Sequence, residues 1–200
     1  MKKHTVKIIE RSMLFALAFS LALSFAKFSA SCDTMRKNIL RIHIIANSDS
    51  KADQDVKLKV RDAIVGLTNN IFENCDSIVD AENLTKEKLK EIESKANKTL
   101  AENGFLYNCS AKVARAYFDT REYDGFTLPA GEYDSLILTL GEGRGHNWWC
   151  VIYPSVCIGG SKANLKKIGK ASDAALDPKK YKIRFKAVEW YEQIKKSLGK

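Results

Sequence analysis

The chain has 200 residues, three prolines and 45% apolar residues, which suits one core-bearing domain behind a leader. Its formal charge of +9 is carried at the ends: Met1–Ser31 holds five basic residues and one acidic (+4), Ser161–Lys200 holds twelve against four (+8), and Cys32–Gly160 holds sixteen against nineteen (−3). A central region of that sign excludes a nucleic-acid groove, because neutralising phosphates requires a contiguous basic face.

Lys2, Lys3, Lys7 and Arg11 precede an apolar run of 14 residues, Met13–Ala26. The run is shorter than the ~20 residues of a membrane-spanning helix and matches the apolar region of a secretory signal. Ser29 and Ser31 are small residues placed for cleavage before Cys32. Cleavage, acylation of Cys32 and retention as an N-terminal anchor all remain open. Each places the chain from Cys32 onward outside the cytoplasm, where disulfides persist. Of the five cysteines, Cys150 and Cys157 flank a turn containing Pro154 and are the first choice for a bridge; Cys75 and Cys109 are a second candidate pair. No Cys-x-x-Cys occurs and only His43 and His146 follow the leader, so neither a zinc site nor any other cofactor is expected.

After the leader, Ile39–Ala46 reads as a strand, with Leu40, Ile42 and Ile44 on one face and Arg41 and His43 on the other. Ser50 and Asp53 form a capping-box pattern for a helix carrying Val56, Val60, Ile64, Leu67 and Ile71. A second helix is expected from an N-cap at Thr85, with Leu84 stapled to Leu89, an apolar stripe of Leu89, Ile92, Ala96 and Leu100, and a stop at Gly104. Asn108–Phe118 alternates as a strand, and Thr120–Gly131 reads as a long connection with turn signals at Asp124-Gly125. Tyr133–Leu140 and Trp148–Tyr153 are two further strands, and Asp177-Pro178 opens a C-terminal helix. The class is α+β: a mostly antiparallel sheet with two helices on one face, plus the C-terminal helix. The domains are a leader (1–31, signal peptide or anchor), a central domain (38–160), and a basic linker with its helix (161–200). The basic end suits either a solvated helix face that aids solubility or contact with an anionic membrane surface.

Between the last two strands, Gly141, Gly143 and Gly145 alternate with Glu142, Arg144 and His146, and Trp148 and Trp149 follow. Alternating glycines permit backbone angles other residues avoid and present the intervening polar side chains in set directions. Of two neighbouring tryptophans on a strand, one is expected in the core and the other on the open face. A phosphate loop is weakly supported, since no Lys-Ser/Thr follows the glycines and a strand rather than a helix comes next. Glu142 with His146 could serve as acid and base, but neither a nucleophile elbow nor a metalloprotease helix is present, so an enzyme is not expected. Glu142, Arg144, His146, Trp148 and Trp149 read instead as a contact patch, since Trp and Arg dominate binding hot spots.

Ile42–Ser50, Gln54-Asp55 and Leu58–Asp62 resemble the start of the stage II sporulation protein R domain. Leu128–Tyr133 and Gly141–Val151 resemble its second half, and Pro154, Cys157, Arg184–Lys186 and Val188-Glu189 agree with it. The resemblance implies a signalling protein of endospore-forming bacteria, made in the forespore and exported to the space between the two membranes. It implies one partner, a membrane-bound aspartic-type protease of the mother cell that removes the pro-sequence of sigma-E. An exported hydrolase or cell-envelope-binding module using the Glu142/His146 loop is the alternative.

Overall fold

The computed structural model describes residues 3–123, 126–154 and 178–198. The N-terminal helix α1 (Lys3–Lys37) runs without interruption from the leader into the domain. Its outer part exposes Met13, Leu14, Phe15, Leu17, Phe19 and Leu21, whereas Phe28, Cys32 and Met35 are buried. The expected leader boundary, between residues 31 and 32, therefore falls inside a helix whose last turns belong to the core.

The strands β1 (Leu40–Ile45), β2 (Cys109–Phe118), β5 (Gly131–Leu140) and β6 (Asn147–Tyr153) form one sheet in the order β2-β5-β1-β6. β2–β5 and β1–β6 are antiparallel, but β1 pairs parallel with β5, with Arg41 opposite Ser135 and Ile45 opposite Thr139. Parallel neighbours cannot be joined by a tight turn and need a crossover. The connection between β1 and β5 runs through three helices, α2 (Lys51–Ile71), α3 (Ile78–Glu87) and α4 (Leu89–Glu102), and then through β2.

The period-two pattern sorts the side chains onto two cores. Leu40, Ile42, Ile44, Leu136, Leu138 and Leu140 pack with Val56, Val60, Ile64, Ile92, Ala96 and Leu100 of the crossover helices. On the other face, Phe118, Tyr133 and Val151 pack with Phe28, Cys32 and Met35 of α1 and with Phe185 and Val188 of the C-terminal helix α5 (Pro178–Leu198). Helices thus cover both faces of the sheet, three contributing to one core and two to the other, where two on a single face were expected. Arg41 accordingly is fully buried. Its guanidinium lies 3.9 Å from the Phe118 ring centroid and 4.9 Å from that of Tyr133, and it donates to the Tyr123 hydroxyl at 3.0 Å. The aromatic faces stabilise the cation where no carboxylate stands against it among the described residues.

Three other expectations are corrected. Thr85 is not a cap: it is buried within α3, its hydroxyl donates to the Ala81 carbonyl at 2.6 Å, and Ser77 caps that helix by accepting from the Asp80 amide. Thr120–Gly131 is not merely a connection, because β3 (Arg121–Tyr123) and β4 (Phe126–Leu128) pair as a separate hairpin. Asp124-Gly125 fall between its strands, where the turn signal stood. Cys32, Cys75 and Cys109 are free buried thiols, so the Cys75–Cys109 pair is not formed. Burial pushes the Cys109 thiol up to about 12, and the nearby Glu93 charge adds to the shift. The linker 161–177 lies outside the described residues.

Leu138 is completely buried at the centre of the first core, paired with Ile44 on one side and Ala111 on the other. Leu138→Ala should lower unfolding stability by about 2–5 kcal/mol, since neighbours on two strands and three helices cannot collapse together into the hole. Urea denaturation measures it.

Candidate partner-binding site

The turn between β5 and β6 is built onto the loop that joins β1 to α2. Both loops leave the same end of the sheet because β1 and β5 run parallel. Backbone bonds zip them together: the Arg144 amide donates to the Asn47 carbonyl at 3.1 Å and the Gly145 amide to that of Ala46 at 2.9 Å. The Asn47 side-chain oxygen accepts from the Glu142 amide at 2.9 Å. Two glycines are required by this fit. Gly141 has φ +55° and a Cβ there would collide with the Asn47 side chain, and a Cβ on Gly145 would meet the Ser48 carbonyl.

Beneath this turn lies the carboxylate of Asp53, 5% exposed. It accepts from Asn47 Nδ2 at 2.9 Å, Ser48 Oγ at 2.5 Å and the Tyr107 hydroxyl at 2.6 Å, while the Asp53 amide donates to Ser50 Oγ at 3.1 Å to cap α2. Burial alone would raise its pKa. The hydrogen bonds from Ser48, Tyr107, Asn47 and Ser50 outweigh burial and hold the carboxyl below its ordinary value. Lys57, also buried, donates to Gln54 Oε1 at 2.5 Å and to the His146 carbonyl at 2.9 Å. Burial shifts the Lys57 ammonium downward, only partly offset by the charge of Asp49.

The surface of the turn is polar. His146 Nδ1 and Asp49 Oδ1 are 2.5 Å apart, and the His146 amide donates to the same oxygen at 2.6 Å. The backbone bond first, and then the ring, keep Asp49 below the usual carboxylate range. Glu142 faces Arg144 at 3.2 Å, with both side chains mostly exposed. The acid–base pair considered from the sequence is thus not assembled: Glu142 pairs with Arg144 and His146 with Asp49. The Ser48 hydroxyl is committed to Asp53.

The tryptophans divide differently from the expectation, since each is half-buried and neither lies on an open face. Trp148 packs against the first core, with the Arg61 guanidinium 4.4 Å from its ring centroid. Trp149 packs against the second, edge-on to Phe118 at 4.9 Å and over His43 at 4.5 Å. Burial, the largest influence on His43, holds that imidazole below its ordinary pKa. Of the five expected contact residues, Glu142, Arg144 and His146 are presented to solvent, while the two tryptophans pack against the cores. Cys150 is buried on β6 and is not among the free thiols; its expected partner Cys157 lies outside the described residues. Among the described residues no group of His, Cys, Asp or Glu is placed to hold a metal ion.

Lys57 and Tyr107 were not anticipated as parts of this site. Nothing local marks them, because Lys57 reads as a solvent-facing helix residue and Tyr107 as the edge of a turn. Their role appears only once α2 and the start of β2 meet.

A family model described as Stage II sporulation protein R matches residues 36–163. A curated protein of Bacillus subtilis (strain 168) named Stage II sporulation protein R is 37% identical over 119 residues, covering 60% of this chain and 53% of that protein. The chain thus spans about half the length of that relative. No solved structure matches the chain.

The Asp53 hydrogen bonds fix a pH dependence. Its folded pKa lies below its unfolded value of roughly 4, so it stabilises the fold above that pH, and the contribution is lost as the pH falls through the folded value. Asp53→Asn should therefore be less stable than the wild type at pH 6 and differ from it less at pH 3. Urea midpoints at the two pH values read this out.

Proposed function

Because the chain belongs to the stage II sporulation protein R family, we propose that it is an exported signal of endospore formation. In this reading it leaves the forespore, reaches the space between the two membranes, and activates the membrane-bound aspartic-type protease that processes pro-sigma-E. Its task is to be recognised; the bond cleavage belongs to the protease.

One observation carries this reading to particular residues. Glu142, Arg144 and His146 stand exposed on a turn whose backbone is bonded to the Ala46–Asp49 loop. Such a turn loses little conformational freedom on binding, which favours affinity. The pairing of Glu142 with Arg144 and of His146 with Asp49 also favours recognition over acid–base chemistry. The bridge expected between Cys150 and Cys157 belongs to the same reading, because an exported chain meets an oxidising compartment.

The test is reconstitution of pro-sigma-E processing with the protease and the triple variant Glu142→Ala, Arg144→Ala, His146→Ala. All three side chains are exposed, so the variant should fold and be exported as the wild type is. Processing should fall roughly tenfold or more, the scale of losing a binding hot spot. Unchanged processing at equal export would overturn the assignment of the patch. Peptide mapping of the exported wild type without reductant should return Cys150 and Cys157 as one linked pair, and separate free thiols would remove the bridge.

A further inference from the structure

The helix α5 has two apolar faces. Phe185, Val188 and the stem of Glu192 are buried against the domain. On its far side Trp190, Tyr191, Ile194 and Leu198 are 61%, 48%, 58% and 82% exposed. At 100° per residue these four share one stripe, opposite the docked face. An apolar stripe of this kind on a helix already fixed by its other side calls for a covering surface.

The position of α5 identifies that surface. Phe185 packs edge-on to Phe28 at 5.2 Å, and Arg36 bonds Glu192 at 3.1 Å, so α5 is pinned to the inner part of α1. Tyr191, a member of the exposed stripe, touches Phe25 with ring centroids 6.2 Å apart. Phe25, half-buried, shares a helix face with the exposed Leu21 one turn earlier, where the exposed apolar surface of α1 begins. The two exposed apolar surfaces are therefore continuous. By length and composition α1 can cross a membrane (Thr5–Lys37), and almost none of its apolar window is buried. Residues 161–200 carry twelve basic against four acidic side chains, although Lys196 of α5 lies on the docked side, 4.7 Å from the Tyr117 ring centroid.

From this geometry we propose that α5 is an interfacial helix. It lies on the surface of an anionic bilayer, the same bilayer that receives α1, with Trp190, Ile194 and Leu198 in the headgroup–acyl boundary. An amphipathic helix with Trp and Leu on its apolar face behaves in this way, and basic residues near an anionic surface strengthen the contact. A protein partner is less well matched, since four part-exposed side chains fall short of the roughly 800 Å² per partner that a specific interface covers. The inference is independent of the signalling reading, for it concerns a different face.

The experiment uses the full chain in bilayer nanodiscs containing phosphatidylglycerol, with lipids brominated near the headgroup as contact quenchers. Tryptophan emission should drop on changing to brominated lipid. Trp190→Phe should abolish that drop while the emission of Trp148 and Trp149 persists. Ile194→Asp, a change at an exposed position, should at least halve the quenching of Trp190 with the near-UV circular dichroism unchanged. Quenching that survives Trp190→Phe, absence of quenching in the wild type, or cross-linking of α5 lysines to a second copy with Trp190 unquenched would each overturn the proposal.

Discussion

The arrangement of this end of the molecule depends on the hydrogen bonding of one carboxylate. Asp53 draws three donors from two separate parts of the chain: Asn47 and Ser48 from the loop after β1, and Tyr107 from the turn before β2. An ionised carboxylate removed from water is costly unless its lone pairs are filled, and filled it becomes a strong organiser. The same residue places the first turn of α2, whose amide is capped by Ser50. Asn47, oriented by Asp53 through its amide nitrogen, offers its oxygen to the Glu142 backbone. The exposed turn is therefore positioned from beneath, by the buried Asp53 carboxylate acting through half-buried neighbours.

The second organising feature is the parallel pairing of β1 with β5. It brings the Ala46–Ser50 loop and the Gly141–His146 turn to one end of the sheet, although they are far apart in the chain. It also makes β1 a central strand with a core on each face, which explains the burial of Arg41. A guanidinium there is stabilised by the Phe118 and Tyr133 rings and by Tyr123 of the β3–β4 hairpin. The cation thereby ties the small hairpin to the main sheet. Trp149, against Phe118 and His43, extends the same aromatic layer toward the turn.

Much of the architecture was legible in the residue pattern. The alternation of Ile42 and Ile44 with Arg41 and His43, and of Leu136, Leu138 and Leu140 with Ile137 and Thr139, placed β1 and β5 with the faces the structure shows. Ser50 and Asp53 marked the start of α2, and the three exposed side chains of the turn were found by their glycine neighbours. What escaped is non-local. The parallel pairing of β1 with β5 depends on the three helices and β2 that lie between them, and no dipeptide encodes it. Thr85 resembles a cap because a buried threonine that bonds back to the preceding turn has the same composition as one that opens a helix. The 14-residue apolar run gave no sign that its helix would continue through Cys32 into the core, because Phe28, Cys32 and Met35 are spaced among polar residues.

The order of the strands has a temporal side. β1 is synthesised about 90 residues before either of its neighbours in the sheet, β5 and β6. At the usual ~5–20 residues per second this leaves it unpaired for several seconds at least. Pairings between segments so distant are slow to close, and an apolar strand left waiting is open to association with other chains. Arg41 and His43 on alternate positions give the waiting segment one polar face and break up its apolar run, the device by which aggregation-prone strands are commonly guarded. The residues that sit most awkwardly in the finished core are thus suited to protecting the nascent chain.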